Sequence, residues 1–270
     1  AYMGDKSADR KIRALTKIEN GYHLAIDPIY YNGNFRLEVT LDGISYPLTK
    51  GDVSLENIHV KELDKFEAKQ DGDVIYRLYS PQADGPRPLI LFLHGGGECG
   101  YDNLLQMTGT LGALKLAELY PYLYVMAPQA PGNIDEMLPD PSTVFQNTFY
   151  TSMFLPGMGW NTEYIAQVCD IIRKMISDGK VDPHKVFVTG LSMGGCGTIR
   201  AMRVAGDLFA AAAPICPSMI PDTYDTLRSL TDAKIWVSTA YVDHTFYRHK
   251  YIVDAIMQLK DAGNRNAHLT

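Results

Sequence analysis

Ser192 lies in Gly190-Leu191-Ser192-Met193-Gly194, a G-x-S-x-G pattern. A serine hydroxyl is a weak nucleophile. It needs a general base to take its proton and donors to hold the oxyanion that forms when it attacks a carbonyl. The local setting suits that chemistry. Lys185-Val186-Phe187-Val188-Thr189 reads as a buried strand, and the segment from Gly195 to Val204 reads as a helix. A strand, a sharp glycine-flanked turn and a helix form a nucleophile elbow, in which the serine sits in a strained backbone conformation. Gly190 and Gly194 leave room for the turn, and Gly195 and Gly197 let the helix approach the sheet. The alternative is a glycine-rich turn carrying an idle serine.

The remaining machinery can be sought around this elbow. The backbone N–H of Met193 is one candidate oxyanion donor. His94-Gly95-Gly96-Gly97-Glu98 follows the apolar run Leu89–Leu93, where a second donor belongs, from Gly96 or else Gly97. His94 reads as structural rather than as the base. Asp243, just after the strand-like Lys234–Thr239, is the best carboxylate to orient an imidazole, ahead of Asp222, Asp225 and Asp232. A histidine is then required after Asp243, and only His244, His249 and His268 follow it. His244 adjoins the aspartate, His249 opens an amphipathic helix, and His268 lies on a strand that is only beginning. His268 is the fallback, and the base is expected beyond residue 270. Trp160, just before a helix start, is a candidate for substrate contact. Spacing at Asp243, His244 and His249 does not match a helical metal motif, and no metal site is expected.

The elements that must position these groups alternate along the chain. Apolar runs at 89–93, 122–126, 185–189, 210–215 and 234–239 read as strands. Between them, Thr162–Ser177 reads as a helix with Ile165, Val168, Cys169, Ile172, Met175 and Ile176 on one face, a cap at Asn161 or Thr162 and Gly179 past its end. A second helix spans about 249–262. Alternation of this kind gives an α/β domain, a mostly parallel sheet with helices on both faces. Residues 1 to about 80 differ. Period-two runs such as Phe35–Leu41 and Val74–Tyr79, separated by Asn32-Gly33-Asn34, Asp42-Gly43 and Asp71-Gly72-Asp73, read as a small β-rich accessory domain whose last strands could join the main sheet. The expected division is 1–80 and 81–270, the latter lacking its C-terminal end.

Bulk composition narrows the function. A chain of 270 residues can bury a full core unaided. A net charge of −6 with no Lys/Arg block argues against a nucleic-acid partner, and no apolar run reaches the roughly 18 residues of a membrane span. Cys99, Cys169, Cys196 and Cys216 form no C-x-x-C pair and read as buried thiols. The start at Ala1 has no signal-peptide apolar stretch. It fits a mature or engineered start, and the expected location is secreted or periplasmic, with the cytoplasm as the alternative.

Taken together, His94–Gly100 with Asp102-Asn103, Ala127-Pro128-Gln129, Gly190–Gly195 with Gly197-Thr198, and Phe209–Ile215 resemble the α/β-hydrolase superfamily. More narrowly, they look like its bacterial predicted-peptidase/esterase group, near the feruloyl esterases and polyhydroxybutyrate-depolymerase-like enzymes. The resemblance runs from about residue 74 to the end. It implies an eight-stranded sheet, a Ser-Asp-His triad onto which Ser192 and Asp243 map, no cofactor, and an N-terminal immunoglobulin-like β domain. It also implies a histidine on a loop after the last strand. The stretch from Gly132 to Trp160, with Phe145, Phe149, Tyr150, Phe154, Met153 and Met158, suits an acyl or aryl pocket or a hydrophobic cap. The expected substrate is a small-molecule or polysaccharide-linked ester, feruloyl, aryl or short acyl. A peptidase of the same fold and a non-catalytic binding module are the alternatives.

Overall fold

The computed structural model describes residues 9–27, 36–49, 59–132, 158–218, 221–241 and 248–270. The chain divides into two compact units, Ala1–Val53 and Ser54–Thr270.

The first unit contains two antiparallel hairpins. Strand β1 (Ile12–Ile18) pairs with β2 (Gly21–Ile26), and β3 (Arg36–Leu41) pairs with β4 (Ile44–Thr49). Asp42 and Gly43 both have positive φ, 52° and 78°, as a two-residue hairpin turn matched to strand twist requires. That turn sets the register. It places Leu37 opposite Leu48 and Val39 opposite Tyr46 on one face, and Glu38 opposite Pro47 and Thr40 opposite Ser45 on the other.

The second unit is an eight-stranded sheet. Its strands in chain order are β5 (Phe66–Asp71), β6 (Val74–Tyr79), β7 (Arg87–Leu93), β8 (Tyr124–Pro128), β9 (Val181–Leu191), β10 (Ala211–Ile215), β11 (Ile235–Val237) and β12 (Ala267–Leu269). Their spatial order is β12-β11-β10-β9-β7-β8-β6-β5, antiparallel at β5–β6 and β6–β8 and parallel elsewhere. The boundary drawn at residue 80 from composition therefore moves. Strands β5 and β6 alternate like the accessory part because they sit at the antiparallel edge. They are hydrogen-bonded into the main sheet and belong with Ser54–Thr270.

Helices α1 (Leu105–Thr108), α2 (Gly112–Leu119), α3 (Thr162–Ser177), α4 (Met193–Ala205), α5 (Pro221–Ser229) and α6 (Arg248–Asp261) join the strands. Helix α3 spans the residues its periodicity predicts. The Asn161 side chain accepts from the Tyr164 N–H at 2.9 Å, and Gly179 at φ 72° closes the other end. Its buried face, Tyr164, Ile165, Val168, Cys169, Ile171, Ile172 and Met175, packs into the main core. Each such aliphatic side chain contributes about 1.5–3 kcal/mol.

The helices lie on both faces. Leu91 and Leu93 join the core that holds α3 and α4, whereas Phe92 points the other way and meets α2 at Gly112. Register carries the Phe92 face across the sheet as a row, Phe92–Thr189–Ala213 and on to Trp236–His268. Toward β12 that face is exposed, with Trp236 at 57 % and Ile215, two residues beyond Ala213 on β10, at 40 %. The opposite face there, Ala212, Ile235, Val237 and Ala267, is buried in the core. No helix among the described residues is long and apolar enough to cross a membrane.

Candidate active site

Ser192 follows the last residue of β9 and precedes the first of α4, with φ 55° and ψ −114°. A non-glycine residue in such a conformation costs about 1–3 kcal/mol and persists only when its surroundings fix it. They do so here through the segment after β10. The Ser192 N–H donates to Ile215 O at 2.9 Å. Its carbonyl accepts from the N–H groups of Cys196, at 3.2 Å, and Ser218, at 3.4 Å. Cys196 Sγ donates to Ser218 O at 2.7 Å, tying helix and loop together. Cys216, in the same loop, also has positive φ, 42°, and its N–H donates to Ser238 O at 2.7 Å.

The 94–98 loop stands directly against this turn. A Cβ on Gly194 would lie 2.0 Å from Leu93 O and 2.5 Å from His94 O, so only glycine permits the approach. On the loop's side, a Cβ on Gly95 would come within 3.5 Å of the Leu191 side chain. Gly96–Glu98 form a single 3-10 turn, with Gly97 exposed and Gly96 partly so. Met193 is buried at the start of α4, where a helix leaves its first N–H groups without intrahelical partners.

His94 is fully buried and structural. Its Nε2 accepts from the Ala130 N–H at 2.8 Å, so the proton sits on Nδ1, which donates to Gly95 O at 2.6 Å. Burial lowers its pKa to about 4, leaving the ring neutral at physiological pH. The 3.8 Å approach of Glu98 Oε2 to Nδ1 is therefore not an ion pair. Burial raises the Glu98 carboxyl to about 7.

Trp160 corrects the sequence reading. Its place near a helix start suggests substrate contact, but it has no exposed surface, and its Nε1–H donates to His94 O at 2.9 Å. Its ring fills the space a side chain on Gly197 would need, 2.8 Å from such a Cβ to Trp160 Cγ. Trp160, two residues before α3, points into the core because it abuts α4 at Gly197 and Arg200.

Asp243, together with His244 and the aromatic stretch 133–157, lies outside the described residues. His249 is partly buried in the first turn of α6, its ring 6.1 Å from that of Tyr241. His268 pairs in register with Trp236 on the exposed sheet face, the rings 5.9 Å apart. It lies three strands from β9 and level with Thr189. That puts it about 14 Å sideways and about 10 Å along the strand from Ser192. Asp222 is held below its usual pKa range. Burial opposes this, and hydrogen bonds from Arg203 and Arg200 prevail. Asp225 pairs with Arg228.

A polar network behind the loop joins residues that the motifs mark without saying what they contact. Gln129 Nε2 donates to Glu98 O at 3.2 Å and to Asp102 Oδ1 at 2.9 Å, while its Oε1 accepts from the Asn103 N–H at 2.6 Å. Tyr164 Oη–H donates to Gln129 O at 2.6 Å. The signal is a polar residue directly after the apolar strand 124–128. Among the described residues no His/Cys/Asp/Glu cluster could hold a metal. All four cysteines are free, and Cys99, Cys169 and Cys196 are buried.

A profile of the prolyl oligopeptidase family matches residues 158–265. No curated protein matches the chain. Among solved structures, a thermostable esterase is similar over 99 % of this chain and 79 % of its own, at 25 % identity and a TM-score of 0.63. Thermogutta terrifontis esterase 2, solved phosphorylated by paraoxon, is similar over 77 % of this chain and 82 % of its own, at 16 % identity and a TM-score of 0.52. An esterase from Pyrobaculum calidifontis covers 78 % and 77 %, at 16 % identity and a TM-score of 0.54. The chain has the α/β-hydrolase fold, with a small β-rich N-terminal part.

Proposed function

We propose that this chain is a serine hydrolase that cleaves carboxylic esters through an acyl-enzyme. One observation carries the reading: Ser192 sits at φ 55° between β9 and α4, with the backbone of residues 93–95 packed against the turn. Ser192 Oγ attacks the ester carbonyl, and its proton passes to a histidine. The tetrahedral oxyanion accepts from the Met193 N–H and from Gly96 or Gly97. The positive end of the α4 dipole adds to these donors. Collapse expels the alcohol, and water then hydrolyses the acyl-serine.

Asp243 is proposed to hold the histidine's tautomer. The base is proposed to lie outside the described residues, since His94 is committed to the loop and His268 stands across the sheet. No cofactor or metal enters the scheme. The similarity to a thermostable esterase supports an ester as substrate. The finer reading, a feruloyl, aryl or short acyl ester attached to polysaccharide, rests on the resemblance of the motifs around His94 and Ser192. The prolyl oligopeptidase match over 158–265 favours a second reading, peptide-bond cleavage by the same serine.

A fluorophosphonate probe and a substrate panel test this. Labelling lost in Ser192→Ala supports the serine-hydrolase reading; no labelling of the unaltered full-length chain sinks it and leaves a binding module. Turnover of methyl ferulate or naphthyl acetate, but not of a peptide amide, supports the esterase. The reverse result establishes the peptidase.

A further inference from the structure

Glu98 is a buried carboxyl that the proposed mechanism does not use, and it closes the turn said to bind the oxyanion. Its side chain is 10 % exposed and wedged between two glycines. A Cβ on Gly109 would lie 2.4 Å from Glu98 Cγ and 2.9 Å from Oε1, and one on Gly95 would lie 3.2 Å from Oε2. The carboxyl thus lies over the turn, with one oxygen against Gly95 and the other against Gly109. The residue's main chain is anchored as well. Its N–H donates to Gly95 O at 3.4 Å, and its carbonyl accepts from Gln129 Nε2 at 3.2 Å.

Charge stabilisation does not account for this carboxyl. Among the described residues no lysine or arginine pairs with it. The titratable groups that face it are the neutral His94 and the Cys99 thiol, whose pKa burial and Glu98 together push up. Burial is the largest influence on Glu98 and lifts it to about 7, so the site resists the charged form.

The geometry points to Glu98 as a positioning residue, its side chain wedged between Gly95 and Gly109 so that the Gly95–Glu98 turn keeps the backbone N–H of Gly96 or Gly97 aimed at the acyl oxygen on Ser192. The inference rests on the reading of Ser192 as nucleophile. Glu98 acts through the turn and touches no substrate.

The test uses the full-length chain and naphthyl acetate. Glu98→Ala is expected to lower kcat about 10- to 100-fold, with KM changed less than about 3-fold, because oxyanion donors act in the transition state. Glu98→Gln keeps the shape of the wedge and should recover kcat to within about 5-fold of the parent. The rate of fluorophosphonate labelling should fall and recover in parallel. Should Glu98→Ala fail to fold, Gly109→Ala displaces the carboxyl without removing it and should reproduce the kcat loss. Unchanged kcat in Glu98→Ala or Gly109→Ala overturns the inference, as does a Gln variant as impaired as the Ala variant. A parent chain that fluorophosphonate does not label overturns the reading of Ser192 instead, so the two failures are distinguishable.

Discussion

The Trp160 indole N–H donates to the His94 carbonyl across 2.9 Å, and that same carbonyl faces Gly194 closely enough to exclude a side chain there. One buried bond thus links the start of α3, the end of β7 and the elbow. Trp160→Phe removes the donor and keeps most of the ring. Stability should fall by about 1–3 kcal/mol, the cost of leaving a buried carbonyl unpaired. Because the ring touches no substrate, KM for a small ester should stay constant while kcat falls. A large KM change with kcat intact would restore Trp160 to the binding site.

Close packing at the helix makes a second expectation sharp. Gly197→Ala places a methyl 2.8 Å from Trp160 Cγ. Overpacking of this kind costs about 1–3 kcal/mol. Gly194→Ala meets backbone carbonyls that cannot rotate away, so its loss should be larger. Thermal or urea unfolding of the two variants gives the order. Equal stabilities would mean that the loop and the elbow are not packed as described.

Strain at Ser192 yields a third. Ser192→Gly relieves the φ 55° conformation and should raise stability by about 1 kcal/mol. The same change should abolish ester turnover, by at least about 10⁴-fold. Urea midpoints and naphthyl acetate hydrolysis, measured on the same preparations, check both halves. A glycine variant less stable than the parent would refute the strain.

Two buried groups give stability opposite pH slopes. His94 falls from its ordinary 6.5 to about 4, so below pH 6.5 the unfolded chain binds the extra proton. Its contribution is fully present above 6.5 and is lost as pH falls toward 4. Glu98 rises from 4.5 to about 7, so the folded chain holds the extra proton between those values. Its contribution is fully present below 4.5 and is lost as pH rises through 7. Each shift is worth about 3 kcal/mol. Over pH 4.5–6.5 the two slopes offset each other. Glu98→Gln should uncover the His94 slope alone, with stability increasing from pH 4.5 to 6.5. Urea unfolding across that range measures it, and a flat profile in the variant would contradict it.

Much of this architecture is local and therefore legible in the chain. Helix α3 follows from apolar spacing, an Asn cap and a closing glycine, all within one segment. The G-x-S-x-G turn announces itself because strand, glycine and helix signals adjoin. Local patterning places the division near residue 80, whereas the compact units part at Val53/Ser54, for the same reason. Alternation along β5 and β6 reports that they are half-buried and antiparallel, not which sheet they join.

Residues in one short segment thus determined the elements and marked Ser192 and the glycine loop as chemically notable. Tertiary structure alone decided what faces them. It turned Trp160 inward, set His94 in a single tautomer by two backbone bonds, and put His268 on the open sheet face three strands from β9. The physical reason is that periodicity encodes which side of an element is apolar. Hydrogen-bond partners and distances between elements arise only when strands far apart in sequence pair in register.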